Sequence, residues 1–162
     1  MNNFHITKFK FFKLSTYIPM LFLVVMGLSL ILFKMYPIRI SHHIEIIIGI
    51  GAVLFILGSM LIFWSEKTRH TLFNFSENLT CHDFAIGIYK RSRSPGTFGF
   101  ILLFLGFACF MNSYVVLFTV IVFFLILSFI VIPFIEKKKI EYCGDAYREY
   151  MQMVSMWWYF FI

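Results

Sequence analysis

Residues Ser94 to Ile135 form an unbroken run of 42 positions without Asp, Glu, Lys or Arg. A helix rising ~1.5 Å per residue crosses a hydrocarbon core of ~30 Å in about 20 residues, so the run is about twice the crossing length. Asn112-Ser113 stands near its middle, where a tight turn would separate two apolar halves. The run therefore predicts a helical hairpin in a membrane. Two more charge-free runs, Leu14 to Phe33 and Ile46 to Ser65, are 20 residues each and read as single spans.

Composition agrees with that solvent. The chain is 60% hydrophobic and 14% charged, whereas a soluble domain of 162 residues needs far more polar surface. Lipid cannot satisfy backbone N–H and C=O groups, which leaves helices or a closed barrel, and the strict alternation of a barrel strand is missing. The expected fold is all-α: a polytopic membrane protein of about four transmembrane helices, with a C-terminal hairpin and an interfacial amphipathic tail. The first apolar stretch lacks a small-residue cleavage pattern and is expected to stay as a helix. Residues 1–65 hold the N-terminal tail and first two spans. Residues 66–162 hold a cytoplasmic loop, the hairpin and a C-terminal tail.

In a four-helix arrangement the N-terminal tail, the Glu66 to Arg93 loop and the C-terminal tail share one side. They carry twelve of the fourteen Lys and Arg residues, leaving Lys34 and Arg39 opposite. The positive-inside rule then places both termini in the cytoplasm. The net charge of +6 suits anionic headgroups, and no nucleic-acid motif accompanies it. Disulfides are not expected among Cys81 in the cytoplasmic loop, Cys109 inside a helix and Cys143 in the cytoplasmic tail. The Asn78-Leu79-Thr80 sequon should be inert there.

No span has an ionisable residue near its centre, which argues against a proton-coupled transporter. His5, His42, His43, His70 and His82 fall in tails or loops rather than on facing helices, so haem ligation is not indicated. The His42-His43 pair lacks further ligands, and no metal site is expected.

The chemistry concentrates at the two ends of the long run. At its start, Ser94-Pro95 has the form of a helix entry: Ser as N-cap, Pro at the first helical position, then Gly96 and Gly99. Lys90, Arg91 and Arg93 precede it and suit two roles, anchoring to lipid phosphates or, with the helix N-terminus, binding an anion. Gly96 and Gly99 permit close approach of either a ligand or a neighbouring helix. At the other end comes Glu136. Beyond it Tyr147, Tyr150, Met151, Val154, Trp157 and Trp158 recur every three or four residues, as in an amphipathic helix with an aromatic anchor at the interface. Gly144 interrupts the segment. A hairpin would return Glu136 to the side where Arg93 lies.

Taken together, "GIYKRSRSPGTFGF" and, about forty residues on, "EKKKIEYCGDAYREYM" resemble the core of the isoprenylcysteine carboxyl methyltransferase and phospholipid methyltransferase superfamily. The resemblance runs from about Phe84 to Val154. Gly87, Tyr89, Arg93, Pro95, Gly99, Glu136, Gly144, Tyr147 and Tyr150 match its pattern in order and spacing. Ser94 stands where that pattern has His, Thr97 and Ile135 replace a Tyr and the first of two Glu, and Cys143 replaces a Phe. Met153-Val154-Ser155 replaces an Arg-Val-Pro element.

The resemblance implies S-adenosylmethionine as cofactor, held at the cytoplasmic face, and a methyl acceptor entering from the bilayer. Tyr89, Arg93, Ser94, Pro95, Gly99 and Glu136 would bind the cofactor, with Arg93 on its carboxylate and Glu136 on its ribose hydroxyls or amino group. Tyr147 and Arg148 would be catalytic and Tyr150 would contact the substrate, a lipid-like or prenylated carboxylate or amine. Displacement at an activated methyl needs alignment and dryness more than acid–base groups, consistent with the lack of a nucleophile triad. Ser94, Thr97 and Ile135 keep a second reading open, a noncatalytic membrane scaffold on the same fold.

Overall fold

A computed structural model describes residues 2–40, 43–75 and 85–157. His42, the sequon at 78–80, Cys81, His82, Phe84 and Trp158 lie outside these residues. The described chain is helical: α1 (Asn2–Met35), α2 (Ile44–Phe75), a 3-10 turn (Gly87–Lys90), α3 (Pro95–Phe110), α4 (Tyr114–Ile126), a π turn (Leu127–Val131), α5 (Ile132–Cys143) and α6 (Asp145–Met153).

Among the described residues, three stretches are long and apolar enough to cross a membrane: Ile18–Met35, Ile44–His70 and Tyr114–Glu141. The fourth expected span, α3, has 16 residues and reaches about 24 Å, short of a ~30 Å core. Helix α2 runs ten residues beyond the Ser65 boundary read from the charges. Glu66 and Arg69 form an ion pair one turn apart, and no Pro or Gly breaks the segment. His70, Lys67 and Arg69 are therefore helical rather than in a loop. Large apolar side chains face outward along the spans, among them Leu23, Ile31, Phe63 and Phe129. Lipid is as apolar as these side chains, so their exposure costs little there.

Helix α3 is the hub. Gly51 and Gly58 lie two turns apart on α2, and Gly99 and Gly106 lie two turns apart on α3. A Cβ placed on Gly58 would come within 2.7 Å of the Gly99 carbonyl oxygen, and one on Gly106 within 2.8 Å of the Gly51 carbonyl oxygen. The two backbones approach as closely as chains can. Gly51 and Gly58 thus join α2 to α3, whereas a Cβ on Gly27 or Gly49 would meet nothing within 4 Å. On its other side α3 meets α1 and α4 through Phe104, fully buried, with Phe22 and Phe123 in edge-on contact at 5.4 and 5.9 Å.

The turn after α3 matches the expectation from Asn112-Ser113. Asn112 takes a left-handed φ of 46°, which Asn tolerates better than most residues, and the Ser113 hydroxyl accepts from the Val116 N–H to cap α4. Ile40 N–H donates to the Asn112 carbonyl and Tyr114 N–H to that of Ile38, so the α1–α2 link and this turn meet at one end of the molecule. Tyr89, Arg93 and Glu136 sit at the opposite end.

Between α4 and α5 the helix loosens into a π turn, with the Ile132 N–H reaching back to the Leu127 carbonyl. Pro133 follows immediately. It donates no hydrogen bond and its ring crowds the preceding turn, a strain that a π turn relieves without breaking the helix. The wider turn also absorbs one residue's worth of rotation, about 100°, and so sets which way Glu136 faces.

Candidate functional site

Four short elements converge at the end opposite the Asn112 turn. Gly87 opens the 3-10 turn with φ +57°, where a side chain would be strained and its Cβ would press on Thr68 at 3.1 Å. The turn buries Ile88 and carries Tyr89 back onto α2, where the Tyr89 hydroxyl lies 2.9 Å from the buried Ser65 hydroxyl. Next come Ser92, fully buried, and Arg93, 12% exposed. Then α3 begins.

Ser94 occupies the N-cap position and Pro95 the first helical one, as expected, but the Ser94 hydroxyl does not cap the helix. Its backbone φ/ψ of −134°/52° differs from the extended −130°/123° of Ser113, which does cap. Ser94 instead gives its N–H to the Ser92 hydroxyl at 3.2 Å. Gly99 faces α2, with the Ile62 side chain and the Gly58 carbonyl oxygen within 3 Å of where its Cβ would stand. That position serves the packing of α3 on α2.

From α5, Glu136 meets Arg93. Nη1 and Oε1 are 3.0 Å apart, and both side chains are about nine-tenths buried. The N–H does not lie along that line: Arg93 Nε and Nη1 and Glu136 Oε1 are buried without an aligned hydrogen bond to protein. This is a charge contact with spare hydrogen-bonding capacity. Buried charges usually fill that capacity, because each unmade bond there costs about 1–3 kcal/mol or more.

Gly144, with φ 63° and ψ −140°, breaks the helix and lets α6 fold back. Its apolar face was expected to lie on the bilayer. Tyr147, Tyr150 and Val154 are instead buried against Ala85, Ile140 and Met151, and α6 ends at Met153. The Trp157 ring stacks near Phe98 and Phe124 at 6.4 and 5.3 Å. The tail is amphipathic, but protein covers its apolar side. The Tyr150 hydroxyl donates to the Tyr89 carbonyl at 2.8 Å, and its ring packs on Tyr147, over which the Lys139 ammonium lies at 5.4 Å.

Burial pushes the Tyr150 hydroxyl well above the usual tyrosine range, with Tyr89 and Glu136 adding to the shift and Arg93 opposing it. Tyr89 is also raised, chiefly by burial, with the Ser65 hydrogen bond pulling the other way. Both are neutral hydroxyls at physiological pH.

Of the nine residues singled out from sequence, the structure gathers Tyr89, Arg93, Glu136 and Tyr150, with Tyr147 behind Tyr150 and Ser94 and Pro95 at the edge. Arg148 stands apart. One residue on from Tyr147 is about 100° round the helix, and its guanidinium is 65% exposed and paired to Asp145 at 3.1 Å. Sequence reasoning missed Ser65, Ser92, Lys139 and the backbone of Ser155 and Met156. The Arg93 N–H donates to the Ser155 carbonyl at 3.0 Å and the Ser92 hydroxyl to that of Met156 at 3.1 Å. Backbone carbonyls leave no trace in residue type.

No curated protein and no solved structure matches the chain significantly. The family model for phospholipid methyltransferases matches residues 46–143, more than half of the chain, from α2 through the Arg93–Glu136 pair to the end of α5. With its apolar spans and this shared core, the chain belongs to the phospholipid methyltransferase family of membrane methyltransferases.

Proposed function

We propose that the protein transfers a methyl group from S-adenosylmethionine to a lipid-like acceptor bearing a carboxylate or an amine. The transfer takes place at the cytoplasmic membrane face. The observation that carries this reading is the Arg93–Glu136 pair: two opposite charges, buried together, with donors and an acceptor left over. A zwitterionic amino-acid group is the complement of such a pair. Arg93 would hold the cofactor's carboxylate, beside the first-turn N–H groups of α3, and Glu136 its amino group or ribose hydroxyls. Tyr89 and Tyr150, both neutral, would shape the pocket wall, and Tyr147 supports Tyr150 from behind.

Bound S-adenosylmethionine supplies a methyl on a sulfonium centre, already activated for displacement. The residues of this chain then orient it and exclude water, which suffices for a reaction governed by alignment. The excess of Lys and Arg at the site's end of the molecule supports a cytoplasmic face and cytoplasmic termini. On this reading α3, extended by residues 92–94 and 111–113, makes the fourth pass. Residues 66–162 form the methyltransferase-like core, and residues 1–65 contribute the first two spans.

The test is S-adenosylmethionine binding by calorimetry on detergent-purified protein, wild type against Arg93→Ala and Glu136→Ala. Saturable binding by wild type that both substitutions abolish supports the reading. A folded wild type that binds none in several detergents overturns it and leaves a noncatalytic scaffold.

A further inference from the structure

Arg93 is held by a part of the chain outside the residues matched to the family. Residues 154–157 leave α6 as a non-helical strap and cross the segment just before α3. The strap is fixed at three places: Val154 in the Tyr147–Tyr150 cluster, Ser155 and Met156 through their carbonyls on Arg93 N–H and Ser92 Oγ, and Trp157 between Phe98 and Phe124. Ser92 is the node. Its hydroxyl, wholly buried, donates to the strap and accepts from Ser94 N–H, linking strap to helix entry on either side of Arg93.

We propose that Ser92 is a positioning residue that acts through the strap. By pinning residues 155 and 156 against the Arg93 backbone, it fixes where the guanidinium emerges and so holds it against Glu136. The physical case is one of accounting for buried polar groups. Without the Ser92 hydroxyl, the Met156 carbonyl and Ser94 N–H lose these partners in a part-buried setting, and the strap regains solvation by lifting away. Arg93 would then keep its charge but lose its fixed origin. A long side chain with four rotatable bonds gives up more entropy on binding from that state. Trp157 supports the same strap from its far end without touching any polar group of the site. The inference rests on the proposed cofactor site.

The test combines hydrogen exchange and calorimetry on the full chain in detergent, for wild type, Ser92→Ala, Trp157→Ala and the double variant. The Arg93 amide reports strap docking directly, since its partner is the Ser155 carbonyl. Ser92→Ala should raise exchange at Arg93 while leaving the α3 interior at Leu103 protected. It should also weaken S-adenosylmethionine binding about tenfold, the scale of one buried hydrogen bond. Trp157→Ala should do the same by its separate route, and the double variant should be little worse than either, because both release one element. Ser92→Thr, which keeps the hydroxyl, should recover most of the affinity. Exchange at Arg93 that does not rise, or that rises with affinity unchanged, overturns the inference while leaving the functional reading intact. Wild type that binds no S-adenosylmethionine overturns both.

Discussion

Gly58 and Gly99 lie so close across the α2–α3 contact that a Cβ on either would fall within 3 Å of the other's carbonyl oxygen. The obstacle is backbone, which cannot swing aside as a side chain can. Gly58→Ala or Gly99→Ala should therefore destabilise the protein by about 1–3 kcal/mol, as overpacking does in dense interiors. Thermal unfolding in detergent measures it. An unchanged melting temperature in both variants would mean that the helices are not in this register.

The buried Arg93–Glu136 pair separates folding from binding. Removing one partner leaves a charge in a dry site, at a cost of about 3–5 kcal/mol, whereas replacing both with apolar residues is close to neutral. Arg93→Ala and Glu136→Ala should each lower the melting temperature. Arg93→Met combined with Glu136→Leu should restore most of it and still bind no S-adenosylmethionine. Binding by that double variant would remove the pair from the site.

The tyrosines predict an alkaline limit. Burial raises the Tyr89 and Tyr150 hydroxyls above their unfolded value, so the folded state keeps protons that the unfolded chain gives up. Their contribution to stability is complete below about pH 10 and is lost as pH rises above that value. Tyr150→Phe should cost about 1 kcal/mol at neutral pH, for the bond to the Tyr89 carbonyl, and should flatten the alkaline decline. Chemical denaturation across pH 7 to 11 tests both statements; equal alkaline slopes in wild type and variant would count against the buried position of Tyr150.

Arg148 offers a contrast. It is exposed and pairs only one turn away along α6, so Arg148→Ala should change stability by no more than about 0.5 kcal/mol and leave cofactor affinity unaltered. A loss of affinity comparable to that of Arg93→Ala would restore it to the site.

The sequence by itself determined the helices and the solvent they face. Charge-free runs of crossing length, the Asn112-Ser113 turn and the break at Gly144 are local facts, set by hydropathy and by which backbone angles Asn and Gly tolerate. The spacing of Arg93, Pro95, Glu136 and the tyrosines carried the family resemblance for the same reason, since a helix fixes which residues share a face. Partnership needed the tertiary structure. Hydropathy cannot tell a side chain facing lipid from one facing another helix, because both surroundings are apolar. That is why hydropathy alone does not place Gly58 against α3, and why the apolar face of α6 was assigned to the bilayer and packs on Ala85 and Ile140. The grip on Arg93 was hidden for another reason. It is made by the Ser155 carbonyl on the Arg93 N–H and the Met156 carbonyl on the neighbouring Ser92 hydroxyl; carbonyls are groups that every residue owns, and only folding brings those two to this segment.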